Sequence, residues 1–327
     1  MGDPAGVGPE IVLKSLKDPR VREKVRPLVV GDAQALSLWN HRVQLKVRPI
    51  LNPMQARFTA GAVDVLHIPS RDFGRIRVGA PDKISGDVSA RSVAKSVELA
   101  MTGLAQGLAH APISKLAWKM AGVNFPGHTE MIARLCGVKK VAMAIASGPL
   151  RTVMVTRHHP LMEVGRRLKG GDIVDAAVLA FAWMKQMGIK NPRIGVCALN
   201  PHAGEHGLLG SEEIRIIRPA VLKAAKKFGK QIVGPLPADS AYKEHKSGEL
   251  DCLITMYHDQ SLIPLKLFDS ERIINITLGL PFPRTSPGHG TAFDIAGKGR
   301  ANPKPMIEAI LAAAKLVPLS LKRRGEG

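Results

Sequence analysis

Aromatic side chains are scarce in this 327-residue chain: eight Phe, three Trp and two Tyr make 4% of it. Stacking platforms for single-stranded nucleic acid need such rings, so their scarcity counts against that class of partner. Cysteine is scarcer still. Cys136, Cys197 and Cys252 are an odd number without metal-ligand spacing, the usage of buried thiols in a reduced, cytoplasmic protein. Long apolar runs are missing. The longest, Ala176 to Met184, is far short of the roughly 20 residues that span a bilayer, and no signal-peptide pattern opens the chain. Acidic residues are also short, 27 against 47 Lys and Arg, a formal net charge of +20. A basic nucleic-acid-binding or scaffold protein is therefore the rival class to an enzyme. The basic residues are dispersed, however. Their densest group, Lys223, Lys226, Lys227 and Lys230, has the spacing of one solvated helix face, and the general positive field suits an anionic small molecule.

What the chain does have is 45% hydrophobic content with 32 Gly and 24 Pro between short apolar runs, enough for two packed domains or one large one. No internal repeat or low-complexity segment is visible. Strands are expected at 27–30, 43–47, 141–146, 152–156, 193–199, 232–236 and 252–256. Helices are expected after Pro9 and over 89–101, 116–121, 172–187 and 303–316, with another that Ser211 caps. This alternation predicts an α/β fold with much parallel pairing.

The polar residues concentrate at element ends. Gly2 to Glu10 holds three glycines and two prolines ahead of a helix, a loop type that can receive an anion or simply turn the chain. His128 and Thr129 sit on a Pro-Gly turn. His158, His202 and His258 each follow an expected strand closely, at separations of 44 and 56 residues. Loops at strand ends gather at one edge of an α/β sheet, where three imidazoles could hold a divalent metal or be three unrelated surface residues. The stretch from Met256 to Pro303 sets His, Asp, Lys, Asn and Arg on glycine-permitted turns, the pattern of a site on a scaffold.

The motifs GDPAGVGPE (2–10), APISK (111–115), FPGHTE (125–130), NPHAGE (200–205), GPLPAD (234–239), YHDQ (257–260) and NITLGLPFPRTS (275–286) occur in order over nearly the whole chain. Together they resemble the 4-hydroxythreonine-4-phosphate dehydrogenase family of pyridoxal phosphate biosynthesis. The 289–303 loop is similar to the adenosine-binding loop of isopropylmalate dehydrogenase. The resemblance implies a two-domain isopropylmalate dehydrogenase-like α/β fold with an interdomain active-site cleft. A cofactor-side domain of 1–120 with 275–327 and a metal, substrate and dimerisation domain of 121–274 are expected. It further implies a homodimer in which His158, His202 and His258, drawn from both subunits, hold one Zn, Mg or Co ion. His128, Thr129, Lys266, Asn275 and Arg284 match its substrate positions, and His289, Ala292, Asp294 and Asn302 its NAD-binding positions. An aspartate at 294 suits a ribose 2′-hydroxyl and repels a 2′-phosphate, so NAD is favoured over NADP.

The activity so implied is NAD-linked oxidation of 4-phosphooxy-L-threonine at C3, followed by decarboxylation. Lys266, Asp239 and Asp259 are the candidate proton acceptors. Similar enzymes act on phosphorylated threonate or erythronate, or on a dihydrodiol dicarboxylate. The chain departs from the family pattern at Gly288, Pro283 and His159, and it looks shortened around 104–110. The family has a strand before the Gly2–Glu10 loop, so an apolar, β-prone segment is expected ahead of Met1.

Overall fold

Short apolar strands alternate with helices, and the computed structural model, which describes residues 1–40 and 43–318, sorts them into two units. Unit 1 is Met1–Lys139 together with the chain from Leu280, and unit 2 is Lys140–Gly279. The expected boundaries lay near 120 and 275.

Unit 1 opens with helices α1 (Gly8–Ser15) and α2 (Pro19–Lys24), each with proline in its first turn, where a missing N–H costs nothing. Strand β1 (Leu28–Gly31), helix α3 (Ala33–Asn40) and strands β2 (Lys46–Ile50) and β3 (Ala62–His67) follow. The three strands pair in parallel in the order β1-β3-β2. The strand expected at 43–47 therefore lies three residues later. It carries Pro49, which an edge strand tolerates because one side needs no donor. Helix α4 (Lys83–Met101) starts well before the expected residue 89, because the Asp82 carboxylate accepts from the amides of Ile84 and Ser85 and caps it. After β4 (Leu108–Ala109) come α5 (Lys115–Met120) and α6 (His128–Leu135). Trp118 and Ile132 of these helices are wholly buried in one cluster with Val93 and Val97 of α4, which is why the unit extends to 139 rather than 120. Fully burying one such side chain is worth about 1.5–3 kcal/mol.

Unit 2 contains β5 (Ala142–Ser147), β6 (Leu150–Met154), helices α7 (Leu161–Arg167) and α8 (Gly170–Gln186), β7 (Ile194–Cys197), α9 (Arg218–Phe228), β8 (Ile232–Leu236), α10 (Ala238–Ser247), β9 (Cys252–Thr255), α11 (His258–Asp269) and β10 (Ile273–Leu278). Its strands run β10-β5-β6-β9-β7-β8. β5 is antiparallel to both neighbours, while β6, β9, β7 and β8 are mutually parallel. The pairing of β10 with β5, Asn275 opposite Ile145, carries the unit to residue 279 rather than 274. Lys223, Lys226 and Lys227 are exposed on α9, and Lys230 is exposed just beyond it. Ser211 makes no side-chain cap. A π-helical turn, Glu213–Ile217, precedes α9 there, with Glu213 turned inward.

The chain returns to unit 1 with β11 (Arg284–Pro287), parallel to β4, and α12 (Lys304–Leu316), whose Met306 and Ile307 join Val7, Ile11, Leu36 and Val65 in a core cluster. Pro283 does not break the pairing, because its carbonyl accepts from the Leu108 amide at 2.8 Å. All three cysteines are free, and burial pushes the Cys197 thiol up to about 12.

Candidate active site

In unit 2 the parallel strands β6, β9 and β7 are adjacent, so the chain leaves all three at the same sheet edge. His158 follows β6, His202 follows β7, and His258 opens α11 after β9. The rings of His158 and His258 lie 5.5 Å apart between centroids. His258 Nδ1 is 2.6 Å from Asp259 Oδ1, and His202 Nδ1 is 2.7 Å from Glu205 Oε1. An ionised carboxylate only accepts, so in the neutral imidazole the proton sits on Nδ1 and the Nε2 lone pair is left for a ligand. Metal-binding histidines are held in this way, and the donor set fits a divalent ion. Among the described residues no three His, Cys, Asp or Glu side chains of one chain gather for a metal, so His202 does not complete a three-ligand set with the other two within one subunit.

The loop that carries His202 is unusual. His202, Ala203, Gly204, Glu205 and His206 all have φ between 40° and 78°, and four of them are not glycine. Each such residue costs roughly 1–2 kcal/mol against the right-handed alternative.

Unit 1 holds the second group. Arg284, the first residue of β11, is 3% exposed, and its Nε donates to His110 Nδ1 at 3.2 Å. His110 directly follows β4, and its amide donates to the Thr285 carbonyl at 2.9 Å. The His110 ring stacks on His128 at 4.9 Å and 5° between planes, and Trp118 meets His128 edge-on at 5.7 Å. His128 is half-buried, but its Nε2, like that of His110, is covered and without a hydrogen-bond partner. Burial, then the neighbouring His128 and Arg284 charges, hold His110 well below the usual histidine range. Burial and Arg284 do the same to His128. Burial lowers the Arg284 guanidinium to about 10, against the favourable field of Glu130. A buried cation beside two neutral imidazoles with unused ring nitrogens is a place where an anion is stabilised. Thr129 lies next to His128 on α6, 6% exposed.

His128, Thr129 and Arg284 thus stand in unit 1, whereas Lys266, exposed on α11, and Asn275, on β10, stand in unit 2. Of the proton-acceptor candidates, Asp259 is engaged with His258, and Asp239 is exposed near the start of α10. His110 was not singled out from the sequence. It shares a signal with the three histidines of unit 2, an imidazole closing a strand, but its strand is two residues long and shows no periodicity.

The 289–303 loop is fixed within unit 1 by the N-terminal loop. The Val7 amide donates to the Thr291 carbonyl at 2.9 Å, and Gly6 allows that approach, since a Cβ there would lie 2.8 Å from the same oxygen. Glu10 accepts from the Ala301 amide at 3.0 Å, and Lys14 Nζ donates to the carbonyls of Gly299 and Ala301. His289, Asp294 and Asn302 are exposed on this loop, and Ala292 takes φ 42°. The Gly2–Glu10 loop, an anion receiver or a plain turn on sequence grounds, is hydrogen-bonded to this loop, to Pro112 and, through the Ala5 carbonyl, to the Gly79 amide.

An α/β scaffold that sets imidazoles at one strand edge, and a buried guanidinium with further imidazoles elsewhere, defines the class as an enzyme of small, anionic metabolites. The chain matches the family model of the pyridoxal phosphate biosynthetic protein PdxA over residues 23–313. It belongs to that family, whose named dehydrogenases make it an oxidoreductase acting on a CH–OH group. It is similar to the 4-hydroxythreonine-4-phosphate dehydrogenase of Geobacter metallireducens, 41% identical over 97% of this chain and 94% of that one. It is equally similar to the D-threonate 4-phosphate dehydrogenase of Cupriavidus necator, 41% identical over 97% and 95%. The crystal structure of the Klebsiella pneumoniae 4-hydroxythreonine-4-phosphate dehydrogenase superposes with a TM-score of 0.88 at 38% identity, covering 97% of each chain. No helix among the described residues is long and apolar enough to cross a membrane.

Proposed function

We propose that this chain oxidises the C3 hydroxyl of 4-phosphooxy-L-threonine with NAD and a divalent metal. The product, 2-amino-3-oxo-4-phosphooxybutanoate, decarboxylates to 3-amino-2-oxopropyl phosphate in pyridoxal 5′-phosphate biosynthesis. The observation that carries the reading is the buried Arg284 beside His110 and His128. An anionic end of the substrate is the charged partner that a cation out of water favours, and because His110 Nδ1 accepts from Arg284 its Nε2 carries the proton and is a further donor. Thr129, Lys266 and Asn275 complete the substrate contacts.

His158, His202 and His258 would hold the metal, and His289, Ala292, Asp294 and Asn302 the NAD. When bound, the metal supplies Lewis acidity at the hydroxyl and the nicotinamide a hydride acceptor. Asp259 and Glu205 keep the proton on Nδ1 of their histidines, and so keep Nε2 free. Asp259 therefore orients, and Lys266 and Asp239 remain the proton acceptors. Because no three His, Cys, Asp or Glu side chains gather for a metal within one subunit among the described residues, the reading calls for a homodimer that brings ligands from both subunits. A cytoplasmic location accords with three free thiols.

The second reading replaces the C2 amine by a hydroxyl, with D-threonate 4-phosphate as substrate, and the C. necator relative favours it. One assay decides between them: NADH formation followed by absorbance with each of the two substrates, with and without a chelator. Turnover of neither substrate, or full activity after exhaustive chelation, refutes the reading.

A further inference from the structure

A run of left-handed residues does not persist unless its surroundings over-determine it. Around His202 to His206 the run is held at its far end by the Leu208 and Leu209 amides, which donate to the carbonyls of Glu205 and Gly204, and at its near end by one buried side chain. Glu213 is 1% exposed. Its Oε1 accepts from the backbone amides of Leu199 and Asn200, each at 2.8 Å, and its Oε2 accepts from Asn200 Nδ2 at 3.0 Å. Asn200 is fixed further by a second donation, from the same Nδ2 to Glu212 Oε2 at 2.8 Å. Gly204, in the middle of the run, backs onto the carboxylate so closely that a Cβ would lie 2.7 Å from Oε2. The wide π-helical turn that begins at Glu213 is itself an uncommon conformation, found often at functional sites.

The left-handed turn has a direct chemical result. It brings Glu205 back onto His202 at 2.7 Å, although the two are three residues apart in a segment that is not a right-handed helix. That contact sets the imidazole tautomer. We propose that Glu213 is a positioning residue: it locks the left-handed turn so that the His202–Glu205 pair presents Nε2 to the divalent metal. The proposal rests on the metal reading given above.

The test measures Co²⁺ binding to the full chain by competition with a chromophoric chelator, together with the Co²⁺ absorption spectrum and the melting of the metal-free protein. His202→Ala and Glu213→Gln are compared with wild type. Glutamine keeps the size but cannot accept through both atoms, and its amide nitrogen faces the Asn200 Nδ2 donor. Glu213→Gln should bind Co²⁺ about 10–100-fold more weakly, the usual effect of losing an outer-shell partner, and should alter the spectrum, while His202→Ala, which removes a ligand, should lose at least as much. A purely structural Glu213 would lower the melting temperature and leave affinity and spectrum alone, which overturns the proposal. Wild-type binding by His202→Ala overturns the metal reading and the proposal with it. Impaired His202→Ala beside normal Glu213→Gln overturns the proposal alone. If Glu213→Gln does not fold, Gly204→Ala displaces the carboxylate by its Cβ. The same loss of affinity is expected there, and unchanged affinity is again fatal.

Discussion

Arg284 donates through Nε to Nδ1 of His110, 3.2 Å away, and both side chains are buried. The cation therefore leans on a neutral ring, and the ring must stay neutral beside it. Removing the charge with Arg284→Met should weaken substrate binding by about 2–5 kcal/mol, the usual cost of deleting one member of a buried charge pair. KM against phosphorylated substrate measures it, and an unchanged KM removes Arg284 from the site.

The stacked rings of His110 and His128 make stability depend on pH. His110 and His128 have folded pKa values held well below the unfolded value, so their contribution is present above about pH 6.5 and lost as pH falls through the folded pKa values. Thermal melts should show a fall from pH 7.5 to 5.5. His110→Gln, which keeps an acceptor for Arg284 but cannot titrate, should reduce that fall.

Asp3 acts in the opposite direction. Burial raises its carboxyl to about 6, against hydrogen bonds from Ala5 and Ser85, and its Oδ2 has no partner. A raised folded pKa contributes stability below about pH 4 that is lost as pH rises through 6, worth about 3 kcal/mol in all. Asp3→Asn should melt higher than wild type at pH 7.5 and lose the advantage by pH 4. A variant that melts lower at both pH values contradicts this.

Asp294 is exposed on its loop, free to accept from a ribose hydroxyl. Wild type should use NAD better than NADP, and Asp294→Ala should narrow the ratio. Initial rates with the two nucleotides check it, and a wild-type preference for NADP reverses the assignment.

Replacing His158 or His258 by alanine should abolish turnover and lower the bound metal while the protein still melts cooperatively. Metal analysis of the purified variants, read beside their activity, is the measurement. Wild-type metal content in both would separate these histidines from the ion.

The sequence made β8 legible to the residue, because Ile232–Leu236 is a compact apolar run between polar turns. It made the histidines of unit 2 legible as strand ends, which needs only periodicity and a following polar residue. It did not disclose His110, whose role depends on β4 pairing with a strand some 175 residues later. Nor did it disclose the π-turn at Glu213. Ser211 with two following glutamates has the composition of an ordinary helix start, and the inward pull on Glu213 comes from amides at 199 and 200 that local rules do not consult. The β2 shift has a similar cause, since Pro49 reads as a strand breaker until an edge position makes it harmless.

The bonds that seat the 289–303 loop join residues up to 291 positions apart, Glu10 with Ala301 and Lys14 with Ala301. Unit 2 is one uninterrupted stretch, so a ribosome has delivered all of it before residue 280 is made. Unit 1 has to wait for its second segment. During synthesis the strand edge that carries His158, His202 and His258 can form early, whereas the nascent Glu10 and Lys14 stay without these partners until the chain is nearly finished. Long-separation contacts are also the slow ones in refolding. In a cell short of chaperones, the 289–303 loop is therefore among the last parts of this protein to be seated.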